Sequence, residues 1–418
     1  MTKKASSSKS TSSTKRKSTS SKSASSSKRT TGGRPNPILL VLGLILAAVA
    51  SYCGVSSSGN TTPPTTAPLT QGAPSTAVTG GVQPITVRQG FGAQKGFWQV
   101  YFTNPSGSSD RTTYRGGIDE NLAAALGGVT ATLDIAAFEF NSPALTTAIV
   151  AAAQRGVRVR MVTDDEHGME DDDSTIQQLI NAGVNVVDDS RSALMHDKFM
   201  ILDSSVLWTG SWNYTSNDTY RNNNNALVLR SRQAVTAYQA EFDEMFVNGQ
   251  FGTTSPTSTV SFNQDGTPIQ VYFAAEDDVV GAISRTLGGA QRSIRFMAFS
   301  FTLEDVAQVM LARSQAGVTV QGIFETTGSQ TQFSELTPLF CAGLDARQDG
   351  GPYVLHHKVF IVDDNIVIAG SFNFSANARD SNDENLFIIN DPDLAAQYIT
   401  EFNRRFAEAR RPLNLSCN

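Results

Sequence analysis

The sequence predicts an α/β fold made of two similar halves, each with a mixed β-sheet flanked by helices. A spaced motif, His-x-Lys-x4-Asp-x6-Gly-Ser-x-Asn, occurs twice, 160 residues apart. The repeat extends beyond this motif, because the stretch 238–246 returns at 398–406 and 137–140 returns at 298–301. Apolar strand-like and helix-like stretches also alternate within each half. A unit of about 165 residues is therefore duplicated in the chain.

The individual elements follow from hydrophobic periodicity and turn signals. Thr132 to Phe140 is a predicted strand and Ala144 to Arg155 a predicted helix, and their counterparts are Ser293 to Phe301 and Leu303 to Gln315. Each half also contains a β-hairpin that turns at an aspartate. The two hairpins are expected to lie centrally and to face each other across a junction near residues 251–266. Their predicted strands are Lys198 to Leu202, Val206 to Gly210, Lys358 to Val362 and Ile366 to Gly370.

The repeated motif places a base, a cation and neutral hydrogen-bond donors together on each hairpin. Side chains alternate along a strand, so the histidine and the lysine two residues later share one face. The serine and asparagine just past the second strand can do the same. Such a cluster suits the cleavage of a phosphodiester through a phosphohistidine. The residues are His196, Lys198, Ser211 and Asn213 in the first copy, and His356, Lys358, Ser371 and Asn373 in the second.

The doubled motif resembles the signature of the phospholipase D superfamily, over roughly residues 95 to 410. The resemblance implies two tandem phospholipase D-like halves related by a pseudo-twofold axis, with one shared active-site cleft. One histidine would attack phosphorus, the other would protonate the leaving oxygen, and water would then hydrolyse the phosphohistidine. This scheme needs no metal and no other cofactor. By the resemblance His196 and His356 are the reacting pair, and Lys198, Lys358, Asn213 and Asn373 hold the non-bridging oxygens.

The two copies differ at the position where the resemblance implies a glutamate that hydrogen-bonds the histidine. Glu384 matches it in the second copy, whereas the first copy has Asn224. His356 alone is then expected to have a carboxylate partner, which raises the pKa of an imidazole and favours the acid role. His196 becomes the expected nucleophile. A carboxylate could equally stabilise a phosphohistidine cation, which leaves the reverse assignment open.

The remaining motif residues are predicted to be structural. The aspartates fall at the hairpin turns, where an aspartate side chain caps backbone amides. The glycines mark a close approach at a strand end. The structural group consists of Asp203, Asp363, Ser211, Ser371, Gly210 and Gly370.

Several neighbours of the motifs have a functional and a structural interpretation, and the structural one is favoured. The acidic run 164–173 could bind calcium or a cationic head group, but it lacks metal-loop spacing and fits an exposed loop. Phe299 and Phe301 could recognise a quaternary ammonium, but they are assigned to a core strand. His357 is predicted to be inert. Tyr353 is the best candidate for lining the cleft.

Composition divides the chain ahead of the duplicated region. Residues 1–36 are a basic, Ser- and Lys-rich stretch predicted to be a disordered cytoplasmic tail. Residues 37–55 are uncharged and apolar, which predicts a transmembrane anchor or a signal segment. Residues 56–85 are a predicted linker, and the two halves are assigned to 86–250 and 251–418. The expected localisation is a single-pass membrane protein with its catalytic part outside the cytoplasm, or a secreted protein after signal cleavage.

The charge of the chain bears on its substrate. Residues 1–35 hold ten of the 33 Lys and Arg, so the rest has 23 against 39 Asp and Glu, a net charge of −16. An acidic body argues against a processive or high-affinity nuclease, because nucleic-acid binding depends on neutralising phosphates with Lys and Arg.

The sequence therefore favours a phospholipase D that hydrolyses a phospholipid head-group ester. A nuclease of the same superfamily and a catalytically silent envelope-binding module are the alternatives, and the intact motif pairs count against the silent module. A monomer is expected because both motifs lie in one chain. Cys341 and Cys417 could form a disulfide, and two unpaired thiols are an equal alternative.

Overall fold

A computed structural model describes residues 81–254, 259–413 and 415–417. Residues up to 254 are called the first half here, and those from 259 onward the second half. Each half builds one mixed sheet flanked by helices, which confirms the predicted α/β fold with two tandem halves.

The first half contains a sheet of nine strands. In chain order they are β1 (Gln83–Ile85), β2 (Gly90–Lys95), β3 (Trp98–Thr103), β4 (Thr132–Ala137), β5 (Arg158–Thr163), β6 (Asn185–Asp188), β7 (Lys198–Leu202), β8 (Val206–Gly210) and β9 (Asn225–Leu229). Their order across the sheet is β1-β2-β3-β9-β8-β7-β4-β5-β6, so the hairpin β7-β8 is central. The pairs β4-β5 and β5-β6 are parallel and the others antiparallel.

The second half repeats this plan with eight strands. They are β10 (Val260–Gln264), β11 (Thr267–Ala274), β12 (Ser293–Ala298), β13 (Thr319–Phe324), β14 (Asp345–Gln348), β15 (Lys358–Val362), β16 (Ile366–Gly370) and β17 (Glu384–Asn390). The order is β10-β11-β17-β16-β15-β12-β13-β14, again with the motif hairpin in the middle. Both hairpins therefore have the predicted strand limits and the predicted central position.

The helices of the described residues connect and cover the strands. The two longest start at side-chain caps, since Ser231 Oγ accepts from the amide of Ala234 and Asp391 Oδ1 accepts from the amide of Leu394. The helices are α1 (Ile118–Leu126), α2 (Pro143–Gln154), α3 (Ile176–Asn181), α4 (Ser216–Tyr220), α5 (Arg232–Asn248), α6 (Val279–Gly288), α7 (Glu304–Gln315), α8 (Leu336–Cys341), α9 (Ala376–Asp380) and α10 (Pro392–Glu408).

Two strands end three residues earlier than the sequence predicts. Strand β4 pairs with β7 only as far as Ala137 opposite Lys198, and β12 pairs with β15 only as far as Ala298 opposite Lys358. Since the partner strands begin at the lysines, the chain leaves each sheet there. The residues that follow Ala137 and Ala298 are therefore not strand, and they border the region beside the motifs.

One hydrophobic cluster joins the two halves. Its buried members include Phe102, Phe199 and Tyr238 from the first half, and Phe273 and Tyr398 from the second. A polar contact adds to it, because the indole Nε1 of Trp98 donates to Asp391 at 3.1 Å. This shared core fixes the two motif hairpins relative to each other.

The motif glycines lie where no side chain fits. Gly210 has φ of 144° and Gly370 has φ of 154°, and a Cβ at either position would collide with the carbonyl oxygen of Asn225 or Asn385. These are the close approaches expected at the ends of β8 and β16.

The predicted localisation is contradicted by the structure. Among the described residues, no helix has both the length and the apolar character that crossing a bilayer requires. The expectation of a single-pass membrane protein with an exported catalytic part is therefore wrong on this finding. The basic tail, the apolar segment 37–55 and most of the predicted linker lie outside the described residues. The end of that linker, 83–85, is strand β1.

The open question of the cysteines is resolved by the fold. Cys341 ends α8, and Cys417 lies close enough to it for the two to form a disulfide that spans 76 residues.

Candidate active site

Each motif histidine is held by a residue of the opposite half. Nδ1 of His196 lies 2.8 Å from Oε2 of Glu384, and Nδ1 of His356 lies 2.9 Å from Oδ1 of Asn224. The backbones of the histidines also hydrogen-bond to the opposite half. The amide of His196 donates to the carbonyl of Asp383, and the amide of His356 donates to the carbonyl of Asn223. Both rings are thus fixed through Nδ1, and within the described residues no hydrogen bond engages Nε2.

This crossed pairing corrects the sequence prediction that Glu384 binds His356. Glu384 is the first residue of β17, at the sheet end where the halves meet, so its side chain reaches across the junction to His196. Asn224, just ahead of β9, reaches the other way. The carboxylate partner belongs to His196, and the argument that gave His356 the acid role on this ground was wrong.

Burial and neighbouring positive charges disfavour the protonated form of both histidines. Burial first, and then the positive charges of Lys198 and Lys358, lower the pKa of His196 well below its ordinary 6.5. Burial, Lys358 and Lys198 lower the pKa of His356 in the same way. Burial also raises the pKa of Glu384 to about 8, although Lys198 opposes the shift.

The two motif lysines are buried beside the histidines. Each Nζ donates to the backbone carbonyl of the histidine two residues earlier, at 2.9 Å for Lys358. Each also lies over an aromatic ring, with Lys198 Nζ 4.6 Å from the centroid of Phe138 and Lys358 Nζ 4.7 Å from that of Phe299. Burial lowers the pKa of Lys198 to about 8 and that of Lys358 well below 10.5. An anion between the lysines would offset this destabilisation.

The motif serines orient the residues that hold the histidines. Ser371 Oγ donates to Oε2 of Glu384 at 2.6 Å, and Ser211 Oγ donates to Oδ1 of Asn224 at 2.8 Å. Each serine therefore acts on the imidazole of the opposite half through one intermediate side chain.

The motif asparagines are less completely bonded. Asn213 Nδ2 donates to Oε2 of Glu139 at 3.3 Å. The Oδ1 atoms of Asn213 and Asn373 are buried and have no hydrogen-bond partner among the described residues. In a carboxamide Oδ1 accepts and Nδ2 donates, so an anionic ligand would be bound through Nδ2 of either side chain.

The aromatic residues after β4 and β12 divide between the site and the core. Phe138 packs edge-on against His196 at 4.7 Å between centroids, and Phe299 packs against His356 at 4.8 Å. Phe140 and Phe301 lie in the cores of their halves. The assignment of Phe299 to a core strand was therefore wrong, because the strand ends before it.

Three other residues singled out in the sequence have defined contacts. Tyr353 packs under the guanidinium of Arg221, 4.3 Å from Cζ to the ring centroid. His357 is buried, with Nδ1 3.0 Å from Asn225 Nδ2 and Nε2 3.3 Å from Glu401. In the acidic run, the ring of His167 stacks on Phe138 at 4.8 Å, so this loop borders the site.

The hairpin aspartates bind backbone some 70 residues away in the chain. Asp203 accepts from the amides of Ala131 and Thr132, at 2.7 and 2.9 Å. Asp363 accepts from the amides of Arg292 and Ser293, also at 2.7 and 2.9 Å. Both tie the hairpin turn to the start of the neighbouring strand, away from the histidines.

Sequence reasoning missed two acids of the site. Asp218 lies with Oδ2 3.5 Å from His356 Nδ1, and the same oxygen accepts from the amide of Asn213. Burial first, and then the charge of Asp218, raise the pKa of Glu139 to about 7. Their signal was a break in the repeat, since Ser300 and Ala378 occupy the matching positions of the second half.

Two α/β halves that meet at paired His-Lys motifs define a protein of phospholipase D type. Residues 122–246 and 283–406 match the family model described as cardiolipin synthase, phospholipase D-like domain. The matches cover more than half of the chain, which therefore belongs to this phospholipase D-like family.

Curated relatives of the chain are named mitochondrial cardiolipin hydrolase and phospholipase D. The mitochondrial cardiolipin hydrolase of Xenopus tropicalis is 40% identical over 114 residues, 27% of this chain and 54% of the relative. The human protein of that name is 39% identical over 136 residues, 32% of this chain and 53% of the relative. A phospholipase D of Rickettsia conorii is 33% identical over 125 residues, 30% of this chain and 62% of the relative. The chain spans a little over half the length of these relatives. The first two names refer to mitochondria, unlike the export predicted for this chain.

Two solved structures are similar to this chain, and the first of them shows the same fold. The phosphatidylserine synthase of Haemophilus influenzae has a TM-score of 0.59 at 12% identity, over 71% of this chain and 86% of that one. Nuc from Salmonella typhimurium, a phospholipase D family member, is 30% identical with a TM-score of 0.34, over 35% of this chain and 99% of that one.

Proposed function

We propose that the protein is a phosphodiesterase that hydrolyses the head-group ester of a phospholipid through a phosphohistidine. The observation that carries this proposal is the crossed pairing of the two histidines, which fixes both rings through Nδ1 beside two buried lysines. The names of the relatives, cardiolipin hydrolase and phospholipase D, support a lipid substrate.

His196 is the proposed nucleophile, for a reason different from the one the sequence suggested. The lowered pKa of His196 favours the neutral ring, and a neutral ring with its proton on Nδ1 has a free electron pair on Nε2 for attack on phosphorus. Bond formation makes the ring an imidazolium that donates Nδ1–H to Glu384 at 2.8 Å. That positive charge favours the ionised carboxylate, and the carboxylate stabilises the phosphohistidine in return.

His356 is the proposed acid for the first step and base for the second. Burial and the lysines oppose its protonation, but a bound phosphodiester anion and Asp218 at 3.5 Å favour it. In the first step the Nε2–P bond forms at His196, the ester P–O bond breaks, and the proton of His356 goes to the leaving oxygen. In the second step water loses a proton to His356, its oxygen bonds phosphorus, and the N–P bond breaks.

The remaining motif residues are proposed to bind the non-bridging oxygens. Lys198, Lys358, Asn213 and Asn373 supply donors, and a preorganised donor of this kind contributes on the order of 3 kcal/mol to transition-state stabilisation. An anionic phosphate would also offset the burial that lowers the pKa of the two lysines. Asp203, Asp363, Gly210 and Gly370 are proposed to maintain the hairpins, while Ser211 and Ser371 position Asn224 and Glu384.

We infer the preferred substrate from the net charge of the chain, and the oligomeric state from the presence of both motifs in one chain. The net charge of −16 outside residues 1–35 favours lipid over nucleic acid. One chain supplies both histidines, so a monomer suffices for the reaction. The boundaries 86–250 and 251–418 remain our proposed division into halves.

The test uses the full chain on cardiolipin and phosphatidylcholine vesicles and, separately, on single-stranded DNA. Wild type is compared with His196→Asn, and with Glu304→Gln as an exposed control. We expect phosphatidic acid or phosphatidylglycerol products, detected by mass spectrometry, with wild type and Glu304→Gln and none with His196→Asn. DNA cleavage without lipid turnover would instead make the protein a nuclease, and inactivity on all three substrates would favour the silent binding module.

A further inference from the structure

We propose that Glu241, Glu244 and Glu276, with Asp197 beside them, form a divalent-cation site suited to Ca²⁺. Asp197 lies between His196 and Lys198 and, by the alternation of side chains, points away from the reacting face of the motif. The site is therefore distinct from the phosphodiester-binding region and goes beyond the proposed function.

The three glutamates are arranged for one shared ion. An oxygen from each lies within 4.8 Å of an oxygen from the others. Two oxygens on opposite sides of a Ca²⁺ ion lie about 4.8 Å apart, since each Ca–O distance is about 2.4 Å. Glu241 and Glu244 share one face of α5, whereas Glu276 follows β11 of the second half. A bound ion would therefore bridge the halves.

The carboxylates are only partly compensated among the described residues, where Asp197 Oδ1 accepts from Asn385 Nδ2. Glu241 is only 2% exposed, and its Oε2 has no hydrogen-bond partner there. Oε1 of Glu276 and Oδ2 of Asp197 are buried and without a partner in the same part of the chain. No ion pair of the described residues includes any of the three glutamates. Buried ionised groups in this condition are strongly destabilising unless a counter-ion is present.

At the matching positions of the second half, basic side chains compensate the charge of the glutamate. Glu401 corresponds to Glu241, and its Oε1 lies 3.3 Å from His357 Nε2 and 3.1 Å from Arg405 Nε. Its Oε2 lies 3.5 Å from Arg404 Nη1.

The first half has different residues at the positions of these basic side chains. His357, Arg404 and Arg405 correspond to Asp197, Glu244 and Met245. Where the second half has two arginines and a histidine around one glutamate, the first half has further acids and a methionine. A bound cation would compensate the negative charge of Glu241, as these basic side chains compensate that of Glu401.

The pKa of each of the three glutamates is raised, as expected for buried or partly buried acids without a counter-ion. Burial first, and then the charges of Glu276 and Asp197, raise the pKa of Glu241 well above 4.5. Burial raises the pKa of Glu244 to about 7 and that of Glu276 to about 8. All ligands are oxygen atoms, which favours a hard cation. Glu244 and Glu276 are partly exposed, so an ion has a route to the site.

The other acidic cluster, Asp164, Asp165 and Asp189, does not support the same proposal. Asp164 already accepts from the amides of His167 and Met195, and Asp189 already accepts from the amide of Asp165.

The test measures ion binding directly. Full-length protein is stripped with EDTA, desalted and dialysed against radioactive Ca²⁺, and its thermal unfolding is followed with and without CaCl₂. We expect one ion per chain and a higher unfolding midpoint in Ca²⁺ for wild type and for the exposed control Glu304→Gln. Glu241→Gln is expected to bind at least tenfold more weakly and to lose the shift. Glu244→Gln, at a partly exposed position, provides the same readout should Glu241→Gln fail to fold.

Two outcomes overturn the proposal. One is wild-type protein that binds no Ca²⁺, with Glu241→Gln more stable than wild type, which would mean that the glutamates hold protons instead. The other is Ca²⁺ binding that is equal in wild type, Glu241→Gln and Glu244→Gln. Failure of the proposed function is separable, because His196→Asn is expected to bind Ca²⁺ as wild type does whether or not the enzyme turns over lipid.

Discussion

Glu384 of the second half hydrogen-bonds Nδ1 of His196 in the first half at 2.8 Å, while Ser371 donates to the same carboxylate oxygen. The reciprocal contact, from Asn224 to His356, has an amide in place of the carboxylate. The two imidazoles therefore sit in different surroundings although their motifs are alike. The predictions on mechanism follow from this difference.

Replacing Glu384 with glutamine is expected to lower kcat by about 10²-fold, with little change in KM. Glutamine can still hydrogen-bond His196, but it has no negative charge to stabilise the phosphohistidine cation. Steady-state hydrolysis of bis(p-nitrophenyl) phosphate measures the effect, with the exposed Glu304→Gln as the matched control. A kcat equal to that of wild type would refute this role of the charge.

His356→Asn is expected to accumulate a phosphoenzyme on His196. With a good leaving group such as p-nitrophenolate the first step needs little acid assistance, whereas the second step loses the base that activates water. A substrate labelled with radioactive phosphorus should leave acid-labile, alkali-stable label on this variant. His196→Asn should carry no label, and the opposite pattern would exchange the roles of the two histidines.

Asp203→Ala is expected to lower the free energy of unfolding by about 1–2 kcal/mol, because the amides at the start of β4 lose their acceptor. Asp203→Asn keeps one acceptor oxygen and should lose less. Urea unfolding measures both effects. Since Asp203 lies away from the histidines, kcat of the folded variant should equal that of wild type, and a large loss of kcat at full stability would place it in the chemistry.

Stability measured in EDTA is expected to fall as pH rises from about 5 to 8. Burial raises the pKa of Glu276 from 4.5 in the unfolded chain to about 8 in the folded protein. Between these values the folded protein holds a proton that the unfolded chain has released, so raising the pH favours unfolding. Glu276→Gln should flatten the dependence of the unfolding midpoint on pH, and an unchanged slope would contradict the raised pKa.

The local parts of the fold could be predicted from the sequence. The hairpin strands of both motifs have the predicted limits, because alternation and an aspartate turn are encoded by neighbouring residues. The strands before them were predicted too long. The alternating pattern of Phe138 and Phe140 continues past Ala137, but a strand lasts only as long as its partner, and β7 begins at Lys198.

The partners of the histidines could not be predicted in the same way. Spacing along the chain assigns Glu384 to the same repeat as His356, whereas its contact with His196 depends on how the two halves dock. The cluster of Glu241, Glu244 and Glu276 could not be predicted for the same reason, since Glu241 and Glu276 come from different halves. The cysteine pair also depends on tertiary structure, because 76 residues separate Cys341 from Cys417.

Covalent linkage of the two repeats has a consequence for evolution and for engineering. Two identical subunits about a true twofold axis would give both imidazoles identical neighbours, so one mutation would alter both at once. In this protein separate codons specify positions 224 and 384, and 218 and 378, and each pair already differs in residue type. The surroundings of the two histidines can therefore be tuned independently, an adjustment that a symmetric homodimer has no means of making.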